Sequence, residues 1–327
     1  MKSPYTGKEM ELRNKKVTLN FRKEEFECVF HYYYCDETKD EFEDDRLATL
    51  NMQQVTDQYR EKHNIPFPEQ IKAIREMYGL SAARISEILG LGVNTWRLYE
   101  NGEMPTIANA RLMQLISDPA NFRKHISEFG NYPAKLIDKI TRHIQQNQIS
   151  TAHYFEDRIR FSSPNKMNGY TVYNRSKTEQ AILFFAQQMA PYKTALNKLL
   201  FYSDFLQFKR TGRSLTGLQY AAIDFGPVPD HYNSLYEMIA DHGIIKIDGT
   251  MTDYGYTERI LPNENTETNK FAFSSEELKT LTDVLLRFRN LSAKEIVELS
   301  HQEDAWICNY STRADISYYY SFNLKAI

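Results

Sequence analysis

The chain has 327 residues, 42% hydrophobic and 25% charged, with a net charge of -3; it is too long for one ordinary core and has the make-up of a folded, water-facing protein. That balance argues against a generally basic nucleic-acid coat, no apolar run approaches the roughly 20 residues of a membrane span, and Met1-Lys2-Ser3-Pro4 does not begin a secretory signal. Three scattered cysteines, Cys28, Cys35 and Cys308, make no disulfide framework, so a reducing cytoplasm is the expected location, with no membrane partner.

The elements predict a mostly α chain with small β elements (α+β). In residues 1–42, Val17, Leu19 and Phe21, then Phe26, Cys28 and Phe30, alternate with polar residues at the period of a half-buried strand, and Gly7 and Asn14-Lys15 supply turn chemistry. Residues 43–62 read as a helix with Leu47, Leu50, Val55 and Tyr59 on one face, ended by Pro66, which disfavours helical geometry in the residue before it.

From Pro66 the pattern changes to short helices and tight turns. Residues 69–78 place Ile71, Ile74 and Tyr78 on one face, with Gly79 as a left-handed cap. Ser81 caps a helix at 82–89, Gly90-Leu91-Gly92 turns the chain, and a further helix runs 93–100 to Asn101-Gly102. A fourth begins at Pro105-Thr106 and carries Ala110, Leu112, Met113, Leu115 and Ile116. Two short helices around a glycine turn are the layout of a helix-turn-helix, and residues 66–118 resemble the Xre/Cro type. In that motif the first residues of the second helix meet base edges in the major groove. Asn94, Thr95, Arg97 and Asn101 are therefore the expected DNA-contacting residues, Asn94 with adenine geometry and Arg97 with guanine or phosphate geometry.

Charge is uneven along the chain. Residues 1–65 hold 11 Lys/Arg against 14 Asp/Glu, 66–118 hold 5 against 6, 119–177 hold 10 against 4, and 178–327 hold 14 against 19. The basic segment reads either as a solvated connector with a helix at 134–146 or as an auxiliary phosphate-contacting surface. After a loop-like stretch at 162–169, a second domain is expected from about 177. It has helices at 177–190 and 193–210, a strand at 218–225 broken by Gly226-Pro227-Val228-Pro229, and a helix at 231–242. A small β pair at 244–247 and 254–260 follows, then helices at 275–289, 292–299 and about 302–308.

His301, Glu303 and Asp304 beside Trp306, with Tyr202, Asp204 and His231, are the residues an enzyme would use. No nucleophile motif, phosphate-binding glycine loop or metal-ligand spacing accompanies them, so no catalysis and no cofactor are expected. Tyr318, Tyr319 and Tyr320, read as a strand-like run with side chains on both faces, are the candidate protein-binding aromatics.

Residues 92–102, with the pattern Gly-Val-Asn-x-Trp-x-x-Tyr-Glu-x-Gly, resemble the MqsA (YgiT-like) antitoxin family, whose members join an N-terminal zinc knuckle to an Xre helix-turn-helix. The family's two Cys-x-x-Cys knuckles align with Ser3-Pro4-Tyr5-Thr6-Gly7 and Cys35-Asp36-Glu37-Thr38. Only Cys35 of the four ligands remains, and His31 would make two ligands at most, so a knuckle-like fold without metal is expected. The resemblance implies a base-reading Asn and Arg. Asn94 matches the first, but the Arg position falls on Leu98 and Arg97 lies about 100° away around the helix.

The C-terminal segment resembles the Panacea (SocA-like) domain through Asn197-Lys198-Leu199-Leu200-Phe201-Tyr202-Ser203-Asp204, Leu215-Thr216-Gly217, Gly226-Pro227-Val228-Pro229 and residues 299–306. Panacea domains occur in antitoxins that neutralise diverse toxins by direct binding, and SocA is a proteolytic adaptor. The resemblance thus implies four parts: a degenerate knuckle (1–65), the helix-turn-helix (66–118), a basic helical connector (119–176) and a Panacea domain (177–327). The function it implies is that of an antitoxin and autorepressor whose partners are a cognate toxin and operator DNA, the latter bound as a homodimer. A ligand-sensing regulator without a toxin and a SocA-type adaptor are the alternatives.

Overall fold

The computed structural model describes residues 1–128, 132–148, 163–252, 255–264 and 266–327. The fold is mostly α with small antiparallel sheets, as expected. Contacts divide the chain into two compact units, one made of the described residues of 1–19, 27–54 and 157–327, the other of 20–26 and 55–156.

Strands β1 (Glu11–Phe21), β2 (Glu24–Tyr34) and β3 (Glu41–Phe42) form a three-stranded sheet in that order. Val17, Leu19 and Phe21 alternate with exposed residues as the period of two predicts. The turn does not fall at Asn14-Lys15, which lies inside β1. It falls at Arg22-Lys23, both at positive φ (50° and 69°), the pair of left-handed residues that matches the twist of a two-residue hairpin. Helix α1 (Asp45–His63) buries Leu47, Leu50, Val55 and Tyr59. Asn51 Oδ1 accepts from His31 N (2.8 Å) while its Nδ2 donates to His31 O (2.9 Å), so one side-chain amide pairs with the strand like a short extra backbone segment.

The second unit contains α2 (Pro68–Met77), α3 (Ala82–Ile88), α4 (Thr95–Glu100), α5 (Ile107–Ile116), α6 (Pro119–Glu128) and α7 (Ala134–Gln148). Gly79 takes φ +61° and Ser81 Oγ accepts from Arg84 N (3.2 Å), the cap and start read from the sequence. Ile71, Ile74, Tyr78, Ile85, Trp96 and Met113 form one core. The first half of the basic connector joins it: Phe122 stacks on Tyr78 at 4.0 Å, and Ile126, Ile140 and Ile144 are buried in the same cluster. Leu115, on the same helix as the buried Ala110, Met113 and Ile116, is 55% exposed. Residues 129–131 and 149–162 of the connector lie outside the described residues, as does Ser162 of the expected loop.

The rest of the first unit is built around two helices, α8 (Arg175–Met189) and α9 (Lys193–Thr211); α9 is buried from Ala195 to Phe208. Around it lie β4 (Tyr220–Ile223), β5 (Gly226–Pro229), α10 (Tyr232–Asp241), the hairpin β6 (Ile245–Thr252) and β7 (Gly255–Pro262), α11 (Ser275–Phe288), α12 (Ala293–Ser300) and α13 (Asp304–Ile307). Gly226-Pro227-Val228-Pro229 does not break the sheet as expected; it is β5, paired antiparallel with β4 in the register Tyr220↔Pro229 to Ile223↔Gly226. Asp230 N donates to Gln219 O (2.8 Å), which sets the alternation so that Val228 and Gly226 take the bonded positions. The prolines, which lack an N–H, fall between them. Nor is the stretch after 162 a loose loop: Ser214 N donates to Gly169 O (3.0 Å), Tyr318 N donates to Lys166 O (2.9 Å), and Tyr170 is buried. In the same unit the His31 ring of β2 lies 4.7 Å from that of Phe322. No described helix is long and apolar enough to cross a membrane.

Candidate functional site

The first candidate surface is the exposed side of α4. Trp96 is fully buried, its backbone N–H donates to Ser86 Oγ (3.1 Å), and its Nε1 donates to Glu100 Oε1 (2.9 Å). Arg75 Nε meets the same Glu100 oxygen at 2.6 Å, and that carboxylate raises the guanidinium pKa further. Tyr99 is buried and its hydroxyl accepts from Asn109 Nδ2 (2.9 Å). These bonds clamp α4 to α2, α3 and α5 by one face, leaving its other face to water.

On that free face Asn94, the residue before the first helical turn, is exposed, and Arg97 one turn later is exposed too. Arg97 Nη2 donates to Asn94 Oδ1 (3.1 Å), so the two expected base readers project together. Val93 (69% exposed) and Leu98 (45%) flank them. Thr95 is half-buried, its N–H donating to Gly92 O (2.8 Å), and Asn101 is exposed at the far end of α4. The structure therefore joins Asn94 with Arg97 and sets Asn101 apart at the opposite end of the helix.

At the N-terminus, the four positions aligned with knuckle ligands do come together. Ser3 Oγ accepts from the N–H groups of Tyr5 and Thr6 (both 3.3 Å), and Thr6 Oγ1 lies 3.9 Å from Cys35 Sγ. Hydrogen bonds from the Thr38 hydroxyl and backbone and from Ser3 pull the Cys35 thiol down to about 6, against the opposing effect of its burial. One sulfur and three hydroxyls are a poor donor set for tetrahedral zinc, which takes thiolates and imidazoles. The residues present do not fit that metal.

The second surface lies on the C-terminal half of the chain, over a buried polar interior. Asp204 is fully buried and accepts four bonds: from Leu215 N (2.9 Å), Thr216 N (2.8 Å), Thr216 Oγ1 (2.6 Å) and Tyr220 Oη (2.7 Å). Burial still pushes its carboxyl up to about 6. Glu303, also buried, accepts from Tyr202 Oη (3.3 Å) and from the backbone N–H groups of Lys325 and Ala326 (both 3.0 Å). These carboxylates are tied to backbone, so they organise the fold. Lys198 is fully buried, its Nζ has no hydrogen-bond partner among the described residues, and burial pulls it down to about 7.

Above this interior, His301, Trp306 and Tyr310 stack in sequence, with ring centres 4.1 and 4.5 Å apart. Trp306 is half-buried. Its Nε1 donates to Ile223 O (2.8 Å), and Tyr310 Oη donates to Asp224 Oδ1 (3.1 Å), locking both rings to the turn of the β4–β5 hairpin. Sequence reasoning missed this assembly because its two halves lie more than eighty residues apart; the spacing of His301, Trp306 and Tyr310 was its one local signal.

The tyrosine run is not a strand. Tyr318–Asn323 is a 3-10 helix, which sends Tyr318 into the core, fully buried, with its hydroxyl donating to Leu218 O (2.7 Å) and its ring 4.4 Å from Phe205. Tyr319 and Tyr320 are half-buried, the latter within reach of the Asn309 and Cys308 side chains.

No curated protein matches the chain. Residues 196–307, which run from within α9 through α13 and so hold Lys198, Asp204, His301 and Trp306, match the family model of the antitoxin SocA-like, Panacea domain.

Proposed function

We propose that the chain is the antitoxin of a toxin–antitoxin pair: its C-terminal part binds and inactivates a cognate toxin, and α3, the following turn and α4 act as a helix-turn-helix that represses its own operon. The match of residues 196–307 to an antitoxin-like domain carries the reading. Both acts are stoichiometric binding without turnover, in keeping with carboxylates that are committed to backbone donors.

The DNA half is supported by the exposed pair Asn94 and Arg97 at the start of a helix whose other face is fixed by Trp96 and Glu100. Residues 66–118 carry almost no net charge, so their affinity for phosphate leans on a symmetric dimer and on the basic segment that follows. The test is to purify the full chain with the product of the adjacent open reading frame and to assay shift of the promoter upstream of both. A stable complex and a shifted promoter fragment are expected. Absence of a complex would remove the antitoxin reading, and absence of a shift the repressor reading.

A further inference from the structure

The aromatic stack has a composition and a setting that point to a partner. Phe225 follows Asp224 at the hairpin turn and is 63% exposed, and Ile307 follows Trp306 and is 53% exposed, so two large apolar side chains stand in water on the segments that carry the half-buried Trp306 and the exposed Tyr310. Isolated exposed apolar residues are ordinary, but a cluster centred on Trp and Tyr is the composition of a binding hot spot. The rings are held in advance, Trp306 by Ile223 O and Tyr310 by Asp224, so little side-chain freedom remains to be lost on binding.

Charge selects the kind of partner. Residues 218–230 and 290–327, which supply this face and flank it in the sequence, carry 6 Asp/Glu besides the buried Glu303 against 3 Lys/Arg. Asp224, at the rim, is 3.3 Å from Arg313, a pair whose side chains are both more than half exposed. A guanidinium can thus share the Asp224 carboxylate and lie against an aromatic face. We propose that Phe225, Trp306, Ile307 and Tyr310 form the toxin-contact face, and that the toxin presents to it a basic segment carrying an arginine. This rests on the antitoxin reading and replaces the tyrosine run, whose first member is buried.

The experiment uses the full chain and the purified product of the adjacent open reading frame, with affinity measured by calorimetry. Phe225→Lys combined with Ile307→Lys removes apolar area and sets positive charge against a basic partner. Affinity should fall by at least about 30-fold, the scale of a hot-spot loss. Phe271→Lys, at a 99% exposed ring elsewhere on the same unit, should stay within about threefold, as a near-neutral surface position does. Wild-type affinity should also weaken as salt rises. Melting temperature reports folding, and the milder Phe225→Ser carries the test if the lysine pair disturbs it. A complex that survives Phe225→Lys with Ile307→Lys, or one insensitive to salt, overturns this proposal and leaves the antitoxin reading intact. A wild-type chain that forms no complex overturns both.

Discussion

Gly226 packs directly onto Lys198: a β-carbon at position 226 would stand 2.8 Å from Lys198 Cε and press on Ser300 Oγ. Gly226 also holds φ +95°, a conformation that costs any other residue. Gly226→Ala should therefore destabilise the chain by more than about 2 kcal/mol, combining backbone strain with overpacking. A urea titration reads this directly, and an unchanged midpoint would mean that the hairpin can shift away from α9.

Lys198 itself makes stability depend on pH. Burial lowers it from 10.5 to about 7, so between those values the unfolded chain holds a proton that the folded chain lacks, and stability rises with pH across that window. Below about pH 7 the full penalty is present. Lys198→Met, of similar volume and without charge, should stabilise by up to the order of 4 kcal/mol at pH 6, with the gain fading toward pH 10. Melting curves of both proteins across that range test it; a gain independent of pH would show that the lysine is not the titrating group.

Asp204 gathers four donors from the Leu215-Thr216-Gly217 segment and Tyr220. Asp204→Ala strands all of them and should cost about 3 kcal/mol or more. Asp204→Asn keeps one acceptor but turns an NH2 toward donors, so it should also destabilise, by about 1–3 kcal/mol. Chemical denaturation of both variants is the check. A neutral result for Asn would imply that the carboxyl is already protonated in the folded state at the working pH.

Asn94 and Arg97 are exposed, so replacing both by Ala should leave the melting temperature within about 1–2 °C, as surface changes do. Loss of two base contacts should weaken binding to the chain's own promoter by about 100-fold or more, and the shift assay reads this. Undiminished binding would place readout on another surface.

Where local chemistry decides the structure, the sequence could be read closely. Ile71, Ile74 and Tyr78 repeat at helical spacing and all three are buried; Ser81, Thr106 and Gly79 mark helix ends where they should. The failures share a cause, which is that the deciding partner is distant in the chain. Arg22-Lys23 turns a hairpin without the usual Asn-Gly because the flanking strands impose the turn. Pro227 and Pro229 sit in a strand because Gln219 and Asp230 set the register. Tyr318 goes inward because Leu218 and Phe205 meet it there. The candidate sites divide the same way: Asn94 and Arg97 stand three residues apart, whereas Trp306 and Tyr310 meet Ile223 and Asp224 across more than eighty residues of chain.

The most direct measurement of the central claim is growth of cells carrying the adjacent open reading frame under an inducible promoter, with and without this full chain expressed beside it. Induction alone should stop growth and co-expression should restore it, with the two proteins recovered as a complex. Growth arrest that this chain does not relieve, or an adjacent product with no effect on growth, would contradict that claim.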